Sequence, residues 1–337
     1  MRIGILASVS DHLDAFWIDI AGHFEEAGHA VSLAAGDAYD DPRYNQLNAI
    51  TRSPKLRNYG SMRQIREWER REKLDAIVTN TATSSALVRL ARVHAPIIYF
   101  AHGFHWDLEK GINYHLWSTP ERLLLNRAEA MIVLNREDEN WIRKSGYNNN
   151  VKLLEFGVGL PLHQFPKKDM PSNSNAVWIG EFSKRKRPLL AIQIANEIHQ
   201  RNPKFRLTML GKGALHQESR QLAHKLGLEE VVNFPGHVHP ASYLASASIL
   251  LHTATWEGLP RVVLEALATG RPVVGPDVKG LRGLPGVITS RDDSPAALAD
   301  IAVEQMCEEH PVEVDRSMLG TDHAASEMLD FIKETLQ

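Results

Sequence analysis

The run from Trp256 to Val274, WEGLPRVVLEALATGRPVV, constrains this chain more than any other stretch. Two carboxylates, Glu257 and Glu265, bracket a Gly-Leu-Pro turn and the first turns of an apolar helix, and Gly270 then leads into a Val-rich strand. Gly258 lets backbone approach a ligand closely. Pro260 suits a helix start, where its missing N–H costs nothing. Amides around Gly258, Leu259 and Arg261 at the positive end of that helix are expected to attract phosphate. Glu265, about two turns along, is out of reach of the phosphate but is placed to accept hydrogen bonds from a sugar diol. The combination reads as a nucleotide-sugar site.

The E-x7-E spacing followed by A-x-G-x-P-V-V resembles the signature of retaining GT-B glycosyltransferases of family GT4. The resemblance implies that Glu265 grips the donor ribose, while Glu257 and the following amides hold the sugar and diphosphate. It implies a GT-B α/β fold: two doubly wound Rossmann-like domains with a cleft between them. The expected division is an acceptor-binding domain over 1–165, a donor-binding domain over 166–320, and a last helix over 321–337 that crosses back to the first domain.

The rest of the chain agrees with two α/β domains. At 337 residues it is long enough for two cores. Short apolar runs at 2–7, 31–35, 76–79, 97–101, 131–134 and 152–156 alternate with helical patterns at 15–27, 84–94 and 120–127. The Pro-, Lys-, Ser- and Asn-rich stretch at 160–175 is the best linker. Strand-like runs resume at 176–179, 206–210, 231–234, 249–253 and 272–275, with helices expected at 188–200, 217–226, 240–247 and 260–269. A net charge of -3 gives no case for nucleic acid as a main partner. Cys307 is the single cysteine, which fits a reducing cytoplasm and excludes an intramolecular disulfide or a cysteine zinc cluster. The N-terminal apolar run is too brief for a signal peptide, and no segment approaches a membrane span, so membrane contact is expected to be peripheral at most.

After the strand at 176–179, the segment Gly180 to Pro188 (GEFSKRKRP) sets a tight turn and a cluster of cations before a helix start, a place where anions collect. By resemblance Lys186 contacts the donor diphosphate. Glu181 stands where the family carries an Arg, leaving Arg185 or Arg187 as the second cation. Gly211 and Gly213 close a strand with a Gly-x-Gly turn, weak evidence alone, but resemblance lays this turn against the nucleotide. Resemblance also sets the base, expected to be uracil, near Pro235–Val238, with His237 and Val238 at its edge.

His102 follows the strand at 97–101 and precedes Gly103, at a strand end where open α/β sheets place their chemistry. A histidine there can donate a hydrogen bond or relay a proton near neutral pH. By resemblance His102 faces the donor sugar, with His105 the runner-up; His12, after the first strand, and Gly157 border the acceptor side. The remaining stretches resemble the GT4 subgroup that builds capsule, exopolysaccharide and O-antigen units. Basic residues recur from Arg52 to Lys73, interleaved with Ile65, Trp68 and other apolar residues; this pattern fits either an exposed helix balanced by Glu67, Glu69 and Glu72 or a peripheral contact with anionic lipid.

No H-E-x-x-H, zinc spacing or acidic triplet for a divalent ion is present. The expectation is a metal-independent, retaining glycosyltransferase without a cofactor. It would move a hexosyl or N-acetylhexosaminyl group from a UDP-sugar to a polyprenyl-diphosphate glycan at the inner membrane face. The rivals are a sugar-nucleotide epimerase on the same scaffold and a catalytically silent nucleotide-binding partner. A nicotinamide dehydrogenase is poorly supported, because Leu6 to Asp11 stands where G-x-G-x-x-G would be required.

Overall fold

The computed structural model describes residues 1–37, 41–51, 60–104, 106 and 111–337. It divides into two compact units, Met1–Gly159 with Gly320–Gln337, and Leu160–Leu319. The boundary falls before the Pro-rich stretch rather than at 165. The reason is local: Leu160 N–H donates to Leu319 O, so the strand-like entry and exit of the second unit are tied together. Gly159 must be glycine, since its φ is +68° and a Cβ would lie 2.4 Å from Gly320 O.

The first unit holds a parallel sheet of β1 (Arg2–Leu6), β2 (Ala30–Ala35), β3 (Tyr44–Gln46), β4 (Ala76–Thr79), β5 (Ile97–Ala101), β6 (Ala130–Val133) and β7 (Asn150–Leu153), ordered β3-β2-β1-β4-β5-β6-β7. Residues 97–101 are buried throughout, as expected of a parallel strand covered on both faces. The helices are α1 (Ser10–Phe16), α2 (Ile18–Glu26), α3 (Ser61–Glu72), α4 (Ala82–Ala91), α5 (Ile112–Leu124) and α6 (Arg136–Lys144). The expected helix at 15–27 is two helices, broken at Trp17, which is buried and packs edge-on against Phe100. The helix expected to begin at Pro120 begins at Ile112 and carries Pro120 inside it. In α3, Ile65 and Trp68 are fully buried, and Trp68 lies over Gly4, where a Cβ would come within 2.7 Å of its ring. The described part of the basic segment therefore spends its apolar residues on the core; Arg52, Lys55 and Arg57 lie outside the described residues.

The second unit repeats the plan. Its parallel sheet comprises β8 (Asn175–Ile179), β9 (Arg206–Leu210), β10 (Val232–Gly236), β11 (Ile249–Leu251), β12 (Val273–Pro276) and β13 (Val287–Ser290), ordered β10-β9-β8-β11-β12-β13. Helices α7 (Pro188–Arg201), α8 (His216–Lys225), α9 (Ala241–Ser246), α10 (Arg261–Thr269) and α11 (Pro295–Met306) cover it. Neither β3 nor β13 was foreseen, because short edge strands leave little apolar pattern. The final helix, α12 (Thr321–Thr335), belongs to the first unit, where it packs on α2, and Glu327 pairs with Lys152 of β7 at 2.7 Å. In each sheet the strand order reverses between the first and fourth strands of the unit. Ligands of open α/β sheets bind at the carboxyl ends of the strands flanking such a reversal.

Candidate functional site

In the second unit the reversal lies between β8 and β11, and the two loops that leave these strands carry the charges. Thr253 ties the loops together: its hydroxyl donates toward Lys186 O at 2.7 Å and accepts from Trp178 Nε1 at 2.8 Å. Thr255 N–H donates to Arg185 O at 2.9 Å. The basic loop is thus held by backbone bonds, freeing its side chains to act. Lys186 Nζ donates to Glu257 Oε1, and Arg185 Nη1 donates to Glu257 Oε2 at 2.9 Å. Arg185 also lies over the Trp256 ring, 5.2 Å from its centroid. Arg187 turns away, to Thr253 O at 2.6 Å and Asp293 at 2.5 Å. Of the two arginines it is therefore Arg185 that shares Glu257 with Lys186. Glu181 is exposed at the surface.

Glu257 is itself buried. Burial pushes its carboxyl up, but the neighbouring His252 and the charges of Lys186 and Arg185 outweigh that and hold it down at about 2. His252, at the end of β11, was not anticipated. It is buried, with Nε2 3.6 Å from Glu257 Oε1, and burial lowers its pKa. Its position just ahead of the E-x7-E run was the signal available. Gly280 was also missed: at φ +84°, a Cβ there would lie 2.7 Å from Gly258 O and 2.8 Å from Glu257 O, so a side chain would push the Glu257–Gly258 turn out of place.

Pro260 is the N-cap of α10 rather than its first residue, and no side chain caps the helix. Gly258 is buried and Leu259 half-buried beside it. Glu265 lies one turn into the helix. It is buried, its Oε2 has no hydrogen-bond partner among the described residues, and Arg261 Nε stands 3.6 Å from Oε1. Burial pushes this carboxyl up to about 7, against the smaller pull of Arg261. A buried carboxylate oxygen without a partner is costly in a folded chain, and a ligand hydroxyl would relieve it.

Along the same sheet edge, Gly211 and Gly213 follow β9 at φ +136° and +151°. A Cβ on Gly211 would lie 1.9 Å from Gly180 O, and one on Gly213 2.7 Å from Phe182 N. The Gly-x-Gly turn exists so that it can lie directly on the 180–182 loop. Gly211 N–H donates in turn to Gly236 O at 2.8 Å, and His237 and Val238 beyond it are exposed. Backbone bonds thus link the ends of β10, β9 and β8, but among the described residues no hydrogen bond or ion pair joins His237 or Val238 to the Glu257 cluster.

In the first unit the reversal lies between β1 and β4. A cavity of about 360 Å³ opens there, lined by Ser8, Val9, Asp11, His12 and residues 81–83. Ser8 and Thr81 share a hydroxyl–hydroxyl bond of 2.7 Å across its floor. His12 Nε2 lies 3.1 Å from His102 Nε2, with the rings 4.6 Å apart and nearly perpendicular. Phe16 and Phe100 pack on the His102 ring at 5.4 and 4.7 Å. Burial, and behind it the His12 ring, hold His102 well below the ordinary imidazole range, so it is neutral at pH 7. Asp138, buried on α6 and held by Asn135 at 2.8 Å, receives Phe104 N–H and so fixes the chain just after His102. Gly157 sits at φ +58° in the turn after β7, its N–H on Leu154 O. His105 lies outside the described residues. Among the described residues no group of three or more His, Cys, Asp or Glu side chains is placed to hold a metal ion, and no helix is long and apolar enough to cross a membrane.

Comparison with known proteins identifies the family of the chain. Residues 173–308 match the family model described as glycosyl transferases group 1, and residues 17–157 match a glycosyl transferase 4-like domain. EpsD of Bacillus subtilis (strain 168), a protein named as a glycosyltransferase, is 27% identical over 310 residues, 83% of this chain and 80% of EpsD. The UDP-Gal:alpha-D-GlcNAc-diphosphoundecaprenol alpha-1,3-galactosyltransferase of Escherichia coli is 22% identical over 231 residues, 63% of this chain and 60% of that enzyme. Among solved structures, HepE of Anabaena, in complex with UDP, matches with a TM-score of 0.73 at 18% identity, covering 100% of this chain and 99% of HepE. That likeness establishes a GT-B fold. With both halves matched by glycosyltransferase models and two reversed parallel sheets underneath, the chain belongs to the GT-B glycosyltransferases of family GT4.

Proposed function

We propose that the protein transfers a hexosyl or N-acetylhexosaminyl group from a UDP-sugar to a polyprenyl-diphosphate glycan during surface-polysaccharide assembly, with retention and without a metal ion. The observation that carries the donor reading is the pairing on one loop and helix of two unlike carboxylates. Glu257 is ionised and ringed by Lys186 and Arg185, while Glu265 is buried with an oxygen lacking a partner among the described residues. The first arrangement suits a diphosphate, which can take over the cations; the second suits a ribose diol. The galactosyltransferase relative, whose name specifies UDP-Gal and a diphosphoundecaprenol-linked acceptor, supports this donor and acceptor class.

In this reading the acceptor hydroxyl attacks the anomeric carbon from the face that UDP leaves. The bond from that carbon to the β-phosphate oxygen breaks, the new glycosidic bond forms, and the hydroxyl proton passes to the departing phosphate oxygen. Lys186, with Arg185, stabilises the charge developing on the diphosphate, the task a divalent ion performs elsewhere. Neutral His102 donates a hydrogen bond to the transferring sugar. Glu257 orients the cations and the sugar rather than forming a covalent intermediate.

The test is UDP release from a panel of UDP-sugars, with and without a polyprenyl-diphosphate glycan extract. Acceptor-dependent release from one sugar, insensitive to EDTA, is the expected result. Conversion of the sugar nucleotide without acceptor would favour the epimerase instead, and UDP binding with no release under any condition would favour a silent binding partner.

A further inference from the structure

The buried carboxylate of Glu257 is held from two sides. Lys186 and Arg185, on the loop after β8, donate to its two oxygens, and their side chains are 14% and 35% exposed. His252, at the end of β11, is only 3% exposed, and its Nε2 lies 3.6 Å from the same Oε1 that Lys186 reaches. Backbone fixes it there. His252 N–H donates to Val274 O at 2.9 Å, and a Cβ on Gly275 would lie 2.4 Å from His252 O. Neither ring nitrogen has a hydrogen-bond partner among the described residues.

The charge of this ring is set by the same three groups. Burial lowers its pKa, Glu257 raises it, and Lys186 and Arg185 lower it again, so the ring is neutral at pH 7 in the free protein. Among the described residues, the elements packed on β11 bring it no other unpaired charge. The neighbouring strands β8 and β12 carry no ionisable side chain. On α10, Arg261 and Glu265 face each other at 3.6 Å. On α11, Asp300 pairs with Arg201, and Glu304 is exposed.

A diphosphate that draws Lys186 and Arg185 onto its own oxygens changes both sides of this balance at once. Glu257 stays buried and negative but loses the cations that compensated it, a strongly unfavourable state. His252 loses the two charges that opposed its protonation. A proton on the ring answers both: solvent supplies it, a second N–H bond forms on the imidazole, and the resulting cation faces the Glu257 carboxylate. A neutral ring can donate one hydrogen bond there but brings no charge.

We propose that His252 is a positioning residue that takes up a proton from solvent when a diphosphate withdraws Lys186 and Arg185 from Glu257, so that Glu257 stays ionised and in place during transfer. This role rests on the reading of Lys186 and Arg185 as the diphosphate contacts. It is separate from that of His102, which lies in the other unit.

UDP is titrated into the full chain at pH 7.5 in buffers of differing ionisation heat, which counts the protons taken up per UDP bound. The wild type is expected to take up roughly 0.5–1 proton more than His252→Asn or His252→Gln; the ionisation of UDP itself cancels in that difference. Its UDP affinity is expected to fall with rising pH relative to the variants, by at most about tenfold per pH unit between pH 7 and 9. The imidazole nitrogen shifts of His252 in NMR spectra are expected to be those of a neutral ring in the free wild type and of an imidazolium with UDP. Uridine, which lacks the diphosphate, is expected to leave the ring neutral. Equal proton uptake by the variants overturns the role, as does a ring that stays neutral with UDP or is already charged without it. If neither variant folds, the wild-type ring shifts and the contrast between UDP and uridine decide the question. UDP binding with no proton taken up removes this role and leaves the donor site standing; no UDP binding, or binding untouched by Lys186→Ala, removes both.

Discussion

Glu265→Gln separates binding from folding at a single atom. The carboxyl is buried, its Oε2 lacks a partner among the described residues, and its pKa is raised from 4.5 to about 7. Because the folded value lies above the unfolded one, protonation favours the fold. The stability is full below about pH 4.5 and is lost as pH rises through about 7. At about 1.4 kcal/mol per pH unit, ionising this group in the folded chain costs about 3 kcal/mol above pH 8. Glutamine keeps the shape and stays neutral, so the variant is expected to be more stable than wild type at pH 8.5 and nearly equal to it at pH 5. For a domain the size of unit Leu160–Leu319, about 3 kcal/mol corresponds to a rise in midpoint of roughly 6–12 °C. The same change replaces one of the two carboxyl oxygens proposed to accept from the ribose diol with an amide donor, so UDP should raise the midpoint of the wild type more than that of the variant. Calorimetric scans at both pH values, with and without UDP, read all four quantities. A variant no more stable than wild type at pH 8.5, or equally stabilised at pH 5, would show that the carboxyl is not strained by burial. Unchanged UDP stabilisation would show that it does not hold the nucleotide.

Lys186→Ala is expected to weaken UDP binding about 10- to 100-fold, the loss of one charge-assisted contact, measured by titration calorimetry. Glu257, held at about 2 against an ordinary 4.5, contributes stability that is present above about pH 4.5 and lost as pH falls toward 2; removing Lys186 should therefore move acid unfolding to higher pH, and an unmoved acid limb would refute the pairing. His102→Ala is expected to lower acceptor-dependent turnover at least about 100-fold while leaving UDP affinity within a factor of two or so, because His102 and the residues proposed to bind the nucleotide lie in different units; full turnover would remove His102 from the reaction. Gly211→Ala, whose Cβ would lie 1.9 Å from Gly180 O at φ +136°, is expected to destabilise its unit by about 2–4 kcal/mol. Gly22→Ala, in the interior of α2 with no atom within 4 Å of the added carbon, is expected to stabilise by about 0.5–1 kcal/mol, and urea unfolding of both variants checks the contrast.

Two sheets of parallel strands were legible because buried strands concentrate Val, Ile and Ala in short runs, as at 97–101 and 272–275. Glu257, Glu265 and Lys186 stood out as candidates because charged residues at fixed spacing around Gly and Pro leave a local trace; the structure pairs Lys186 with Glu257 and buries Glu265. The choice of Arg185 over Arg187 was not legible, since adjacent cations on one loop are equivalent until Thr253 and Asp293, distant in sequence, claim one of them. His252 was hidden for a related reason: a histidine at a strand end becomes a partner of Glu257 only when the loop after it folds back. The Gly-x-Gly turn at Gly211 was visible, but its cause, a backbone laid on the 180–182 loop, depends on neighbouring strands meeting at one sheet edge. Apolar residues in α3 and α5 look alike as text, yet Ile65 and Trp68 are buried while Leu116 and Leu123 are exposed. Sequence alone determined which residues can bear charge, turn the chain or fill a core, because those are properties of single side chains and their near neighbours. Tertiary structure decided which of them lose water and whom they meet, because desolvation and pairing are set by elements far apart in the chain.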